Sequence, residues 1–300
     1  MEIAKKWRLM VADRTYSETA RVARAALASV DATPGVKKPD SILSVDGVRR
    51  HFGGIVAVDV KHLEVQRGSI TALIGPNGAG KTTLFNLLSG FDTPDVGEWR
   101  FDGHNMSRVV AHKTASMGMV RTFQLTKSLT KMSVIENMKL GAMHQAGEKW
   151  WNGLLPFVWK SQEKKIEERA DALLTRFKMD HMRNEYAGTL SGGQRKLLEM
   201  ARALMTQPRL VMLDEPMAGV NPALKQSLNE HIRGLRDDGM TVLFVEHDMD
   251  MVNDVADWVV VMAEGMLIAE GTPEQIGNNP QVIEAYLGSH QGKSLLEEKS

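Results

Sequence analysis

Residues 75–83 read Gly-Pro-Asn-Gly-Ala-Gly-Lys-Thr-Thr, and their types and spacing suit the binding of a polyphosphate. Gly75, Gly78 and Gly80 let main-chain N–H groups curl around an anion, and a helix opening at this point adds its own free N–H groups and dipole. In such a loop Lys81 neutralises the β and γ oxygens and the Thr82 hydroxyl ligates Mg²⁺, with Asn77, Ala79 and Thr83 completing the cradle. A glycine turn that merely contains a lysine is the competing reading. The context disfavours it, because "SITALIG" is a short buried strand feeding the loop and "TLFNLLSG" is an apolar-faced helix leaving it.

A second group of chemical residues lies far along the chain. Leu210–Leu213 is an unbroken apolar run, as expected of a strand buried on both faces, and Asp214 and Glu215 follow it. Acids at the C-terminal edge of such a strand stand where α/β sheets bind ligands. Asp214 suits an outer-shell or water-mediated contact to Mg²⁺, and Glu215 is placed to orient or deprotonate an attacking water. Phosphoryl transfer requires chiefly positioning and charge neutralisation, so one carboxylate of each kind suffices. The alternative is an acidic turn before Pro216. A third stretch, "TLSGGQRKLLEMARAL" at 189–204, is a further helix start suited to an anion, with Ser191 at the cap and Gly192 and Gly193 behind it.

The elements that must position these residues are legible in outline. "ILSVDGVRRHF" and "AVDVKHLEVQRG" read as alternating strands, and "GEWRFDGHNM" as a hairpin strand turning at Asp102-Gly103. Residues from about 127 to 188 lack strand patterns and favour helix. "RLVMLDEP" and "TVLFVEHD" are buried strands ending in acidic or histidine residues, and 257–273 closes with strand–turn–strand. Strands alternating with helices predict a mostly parallel, helix-covered sheet with an antiparallel portion and a helical insert. Residues 1–40 read as an appendage, a surface helix in "YSETARVARAALASV" followed by the linker "DATPGVKKPD", with a membrane-surface or partner-binding helix as the alternative.

Composition narrows the function classes. Lys and Arg balance Asp and Glu at 37 each, which argues against a broad nucleic-acid-binding face. There is no cysteine, so disulfide frameworks, thiolate metal sites and cysteine nucleophiles are excluded. No apolar run reaches the roughly 18–20 residues needed to span a bilayer, and the charged first thirty residues do not resemble a secretory signal.

The order of these motifs resembles that of the ATP-binding-cassette (ABC) ATPases: phosphate loop, Gln124, "LSGGQ" at 190–194, "LVMLDEP", then His247 at the end of "VLFVEH". The resemblance spans about residues 42–288. It implies a P-loop NTPase ABC cassette, with a RecA-like mostly parallel core, an antiparallel β portion and a helical subdomain at about 127–188. The cassette is expected over 41–300, with a tail at about 289–300.

By this resemblance two cassettes pack head to tail, and each ATP lies between one chain's phosphate loop and the other's Ser191, Gly192, Gly193 and Gln194. Gln124 is then the loop glutamine touching Mg²⁺ or the attacking water, and His247 holds the γ-phosphate; a capping histidine is its alternative. Phe52 matches the aromatic that stacks on adenine, an ordinary strand-end core residue being the alternative. Ala218 and Asn221 stand where many cassettes have serine and aspartate, which removes a negative charge from that loop.

"VRTFQLTKSLTKMSVIENMKLGA" at 120–142, together with "FGGIVAVD", "EHDMDMV", "GTPEQI" and "VIEAYLG", resembles the branched-chain amino-acid importer ATPases. Relatives of that branch serve urea, short amides or lipopolysaccharide extraction. The implied partners are a second cassette, two membrane permeases and, indirectly, a solute-binding protein, with no nucleic acid. The implied location is the cytoplasmic face of the membrane. The groove for a permease helix is expected to have 125–140 as its floor. Trp150, Trp151 and Trp159 pack the helical subdomain or meet the permease or headgroups. The alternative function is a non-transport cassette acting on ribosomes or DNA. Those proteins carry two cassettes or long coiled coils, and this chain has neither.

Overall fold

Helix α1 (Thr15–Leu27) buries Ala23 and Leu27, one turn apart, as its alanine-rich spacing predicts. Strands β1 (Ser41–Phe52) and β2 (Ile55–Gln66) form a long hairpin in which Val45 faces Leu63 and Val48 faces Val60. The wholly buried β3 (Ile70–Ile74) runs into α2 (Lys81–Leu88). A tight turn at Asp102-Gly103, both at positive φ, joins β4 (Val96–Phe101) to the two-residue β5 (His104–Asn105). Next come α3 (Ala111–Ser116), β6 (Met119–Arg121), α4 (Val134–Lys139), α5 (Pro156–Arg176) and α6 (Gly192–Leu204). The remainder alternates: β7 (Leu210–Asp214), α7 (Pro222–Asp237), β8 (Thr241–Val245), α8 (Met249–Val255), β9 (Trp258–Ala263), β10 (Met266–Gly271) and α9 (Pro273–Gly277).

This computed structural model describes residues 15–122, 129–143 and 156–286. Gln124, Trp150, Trp151 and the expected tail at 289–300 lie outside the described residues. No helix among the described residues is long and apolar enough to cross a membrane.

Two sheets organise the chain. One is antiparallel, in the order β2-β1-β4-β5; the other runs β10-β9-β3-β8-β7-β6 and is parallel except for β10. The six-stranded sheet is apolar on both faces. Leu73, Met212, Leu243 and Val245 point toward α2 and the antiparallel sheet, while Ala72, Ile74, Leu213 and Phe244 point toward α6 and α7. That two-sided burial is why β3, β7 and β8 read as continuous apolar runs.

The segment before β1 is docked. Lys38 is buried with its ammonium 2.8 Å from Glu270 Oε2 on β10, and Trp258 Nε1 donates to the same oxygen at 2.9 Å. Glu270 Oε1 accepts the Val36 N–H at 2.8 Å, and the Lys38 ammonium also lies over the Trp258 ring. Burial lowers the Lys38 pKa and Glu270 opposes that shift. On α1, Arg24 donates to Asp257 at 2.7 Å.

His231 on α7 packs on Phe177, with ring centroids 4.5 Å apart, and its Nε2 finds no partner among the described residues. Burial, with Arg176 and Lys178 nearby, pushes its pKa down to about 4 from an ordinary 6.5. The unfolded chain therefore binds more protons than the folded one between these values, and stability falls as pH drops through that window. After discounting for partial exposure, the loss is about 1–2 kcal/mol by pH 5. Urea midpoints compared at pH 7 and pH 5 should differ less for His231→Phe than for the wild type; an equal difference would clear His231 of this role.

Candidate functional site

The three site-bearing strands are neighbours in the sheet. Register places Leu73 of β3 opposite Val245 of β8, and Val245 opposite Asp214 of β7. The loop from Gly75, the pair Asp214–Glu215 and His247 therefore emerge side by side at the C-terminal edge.

Main chain from neighbouring elements shapes the phosphate loop. A Cβ on Gly75 (φ 150°) would lie 2.1 Å from the Met262 carbonyl oxygen, and one on Gly80 (φ 96°) 2.3 Å from that of Ala57, so no side chain fits at either position. Gly80 is the N-cap of α2 with no side-chain cap, which leaves the first N–H groups of α2 available to an anion. Asn77, Gly78 and Thr82 are exposed, Thr83 is half-buried, and Ala79 is buried with its carbonyl accepting the Gly265 N–H.

Lys81 Nζ donates to the carbonyls of Gly75 (2.8 Å) and Pro76 (2.9 Å), which places its charge against the loop's own backbone. Burial pulls the Lys81 pKa down, and the Glu215 carboxylate opposes that shift. Tyr286 packs into the core from the far end of the described chain. Burial raises its phenol pKa, with the backbone of Gly75 opposing.

Glu215 sits at φ 46°, a left-handed conformation that a glutamate holds only when its surroundings fix it. Its N–H donates to the Val245 carbonyl at 3.0 Å. Its Oε1 is 3.2 Å from His247 Nε2, so an Nε2-protonated imidazole donates to the carboxylate. His247 and Thr82 are exposed and Glu215 is half-buried, so solvent and ligand reach all three. The described oxygen donors expected for the metal, the Thr82 hydroxyl and the Asp214 carboxylate, are hard ligands. That donor set suits Mg²⁺, which keeps several waters.

Asp214 has a partner that sequence reading did not assign. Arg121, at the end of β6, places Nη2 2.6 Å from Asp214 Oδ2, and both side chains are nearly buried. Its Nη1 donates to Asn86 Oδ1 (2.8 Å) and Ser89 Oγ (2.9 Å) on the phosphate-loop helix side. The guanidinium also lies against the rings of Phe85 and Phe91. One arginine thus neutralises the buried carboxylate and fixes it relative to α2, which fits an outer-shell role for Asp214. The available signal was an arginine ending a short, half-buried strand.

Phe52 ends β1 at 51 % exposure, with the Arg50 guanidinium 4.9 Å from its ring centroid. It is an open ring, as adenine stacking requires, and not a core residue.

At the other helix start Ser191 is exposed and caps α6. Its Oγ accepts the Gln194 N–H at 3.3 Å, and Gln194 Oε1 accepts the Ser191 N–H at 2.8 Å. The Gln194 side-chain oxygen therefore belongs to a capping box. The two glycines differ in their reasons. A Cβ on Gly193 would sit 1.7 Å from Leu224 Cδ2 on α7, whereas one on Gly192 would meet nothing within 4 Å. A methyl group of Leu224 fills the space beside Gly193, whereas Gly192 faces open space. Asn221 is likewise a cap, its Oδ1 accepting the Leu224 N–H at 2.9 Å at the start of α7.

Comparison with known proteins places these features in a family context. The sequence pattern described as ABC transporter matches residues 58–218, and that of the branched-chain amino acid ATP-binding cassette transporter matches 266–291. The probable branched-chain amino acid transport ATP-binding protein LivG of Archaeoglobus fulgidus is 42 % identical over 248 residues, 83 % of this chain and 96 % of that protein. The high-affinity branched-chain amino acid transport ATP-binding protein BraF of Pseudomonas aeruginosa is 42 % identical over 249 residues, 82 % of this chain and 98 % of its own length. Among solved structures, the ADP conformation of an ATP-binding cassette of an ABC transporter superposes with a TM-score of 0.71 at 35 % identity, covering 83 % of this chain and 99 % of that one.

Proposed function

Because this chain belongs to the ABC transporter family of ATP-binding cassettes, we propose that it is the ATP-hydrolysing subunit of an importer for branched-chain amino acids or a related small solute such as urea or a short amide. The observation that carries the reading is the convergence of Lys81, Glu215 and His247 on one sheet edge beside an uncapped helix start.

ATP seats its phosphates on the loop 75–83 and the start of α2, with Phe52 against the adenine. Lys81 exchanges its loop carbonyls for β and γ oxygens. Thr82, Gln124 and, through water, Asp214 would hold Mg²⁺, which would supply charge neutralisation at the phosphates. Glu215 accepts a proton from the attacking water, and His247, within reach of the same carboxylate, orients it toward the γ-phosphate. A second cassette covers the nucleotide with its own Ser191–Gln194 turn. ATP stabilises the closed pair and hydrolysis releases it, which makes the pair a differential-affinity switch.

In this reading the chain works at the cytoplasmic face of the membrane, driven against permease subunits that receive solute from a binding protein. The exposed Phe91 beside Arg121, together with Ala111 and His112, lines a groove that suits a short permease helix, and none of its lining residues belongs to the expected floor at 125–140. The test is recovery from membranes followed by reconstitution. The chain should co-purify with two permeases, and its ATPase should rise several-fold with a solute-binding protein loaded with leucine, isoleucine or valine. Recovery free of membranes and attached to ribosomes would overturn the proposal.

A further inference from the structure

Lys196 lies on α6 one turn beyond Gly192 and Gly193. Its three N–H donors meet three main-chain carbonyls of the segment after β7: Glu215 at 3.3 Å, Pro216 at 3.0 Å and Ala218 at 2.6 Å. Burial lowers its pKa, while the charges of Glu246, Glu199 and Glu215 oppose the loss of the proton. The buried Glu246 accepts the Met217 N–H at 2.8 Å and the N–H of His247 at 3.0 Å. The loop 215–218 is therefore pinned by its carbonyls to α6 and by an N–H to the residue before His247.

The helix at one end of this link is stiff, since Leu197, Leu198, Met200, Ala201 and Leu204 are buried. The group at the other end, Glu215, stands in a left-handed conformation that its surroundings hold, so the main chain that Lys196 grips sets where its carboxylate stands. A displacement of the start of α6 is thus delivered to the main chain carrying the hydrolytic carboxylate.

We propose that Lys196 is a positioning residue that couples the two nucleotide sites of a cassette pair. This rests on the reading above, in which the start of α6 serves the partner's ATP and Glu215 serves the chain's own. Engagement of Ser191–Gln194 by one nucleotide then sets Glu215 for the other, through a single side chain within one protomer.

The test is ATP hydrolysis by the assembled pair as a function of ATP concentration, with nucleotide binding to the isolated chain measured in parallel. The wild type should give a Hill coefficient approaching about 2, the number of sites. Lys196→Met should bring it close to 1 and lower kcat about tenfold, with the Kd of the isolated chain for ATP changed less than twofold. Lys196→Arg, which keeps a cation and several donors on a long stem, should retain cooperativity. Lys196→Gln takes the place of the methionine variant if that one does not fold. A Hill coefficient unchanged in the neutral variant overturns the coupling role, even if kcat falls. A non-cooperative wild type that forms no ATP-driven dimer would instead overturn the paired-cassette reading, and this inference with it.

Discussion

Glu215→Gln is expected to bind ATP as tightly as the wild type, to accumulate as a closed pair, and to hydrolyse at least about 10²–10³ times more slowly. The amide is isosteric and keeps the fold around Glu215, whose N–H bond to Val245 and carbonyl bond to Lys196 belong to the main chain. What disappears is the capacity to take a proton and the charge that faces His247 and acts on Lys81. Removing a negative charge beside the loop lessens its repulsion of the phosphates, so nucleotide affinity should hold or rise. Phosphate release, size-exclusion chromatography in the presence of ATP and equilibrium binding of a fluorescent ATP analogue together measure the three properties. Unimpaired phosphate release would remove Glu215 from its role, and the chemistry would then have to run through His247 alone.

The second large effect concerns a residue that the chain's own nucleotide does not need. Ser191→Arg should leave ATP binding by the isolated chain within about twofold of wild type and reduce hydrolysis by the pair to a few per cent or less. Ser191 is exposed at the start of α6, and the neighbouring Gly192 faces open space, so a long side chain is tolerated in the single chain. In the closed pair proposed above it would occupy the position of the partner's γ-phosphate. The substitution also deletes the cap on Gln194, worth about 1 kcal/mol. Ser191→Ala separates the two contributions, because it loses the cap without filling the space. If the arginine variant loses ATP binding as an isolated chain, or if the alanine variant is equally inactive, the division of labour between the two helix starts is wrong.

Much of this site could be read from residue types. The phosphate loop, the acids after 210–213 and the histidine after 241–245 each follow a buried strand, and two-sided burial writes an apolar run that needs no knowledge of neighbours. Strand order was another matter, since nothing in the local pattern places β8 between β3 and β7. Arg121 and Lys196 were missed for the same reason. Each reads as an ordinary cation until tertiary contact brings it to Asp214, 93 residues away, or to the carbonyls beyond β7. Gly192 and Gly193 looked equivalent in sequence, and only the position of Leu224 separates them. Residues 31–40 read as a linker because of their two prolines, glycine and lysine pair; the anchor of Val36 and Lys38, Glu270, lies on β10.

That anchor has a consequence for how the chain is made. Lys38 and Glu270 are 232 residues apart, and at synthesis rates of about 5–20 residues per second the lysine waits on the order of ten to fifty seconds for its partner to leave the ribosome. Until then the ammonium has no carboxylate to bury against, and Trp258 has no acceptor for its indole N–H. The segment ahead of β1 therefore settles among the last parts of the domain, although it is among the first to be translated. A ribosome stalled before β10 would carry a nascent chain whose beginning is still loose, exposed to proteases along its alanine-rich helix.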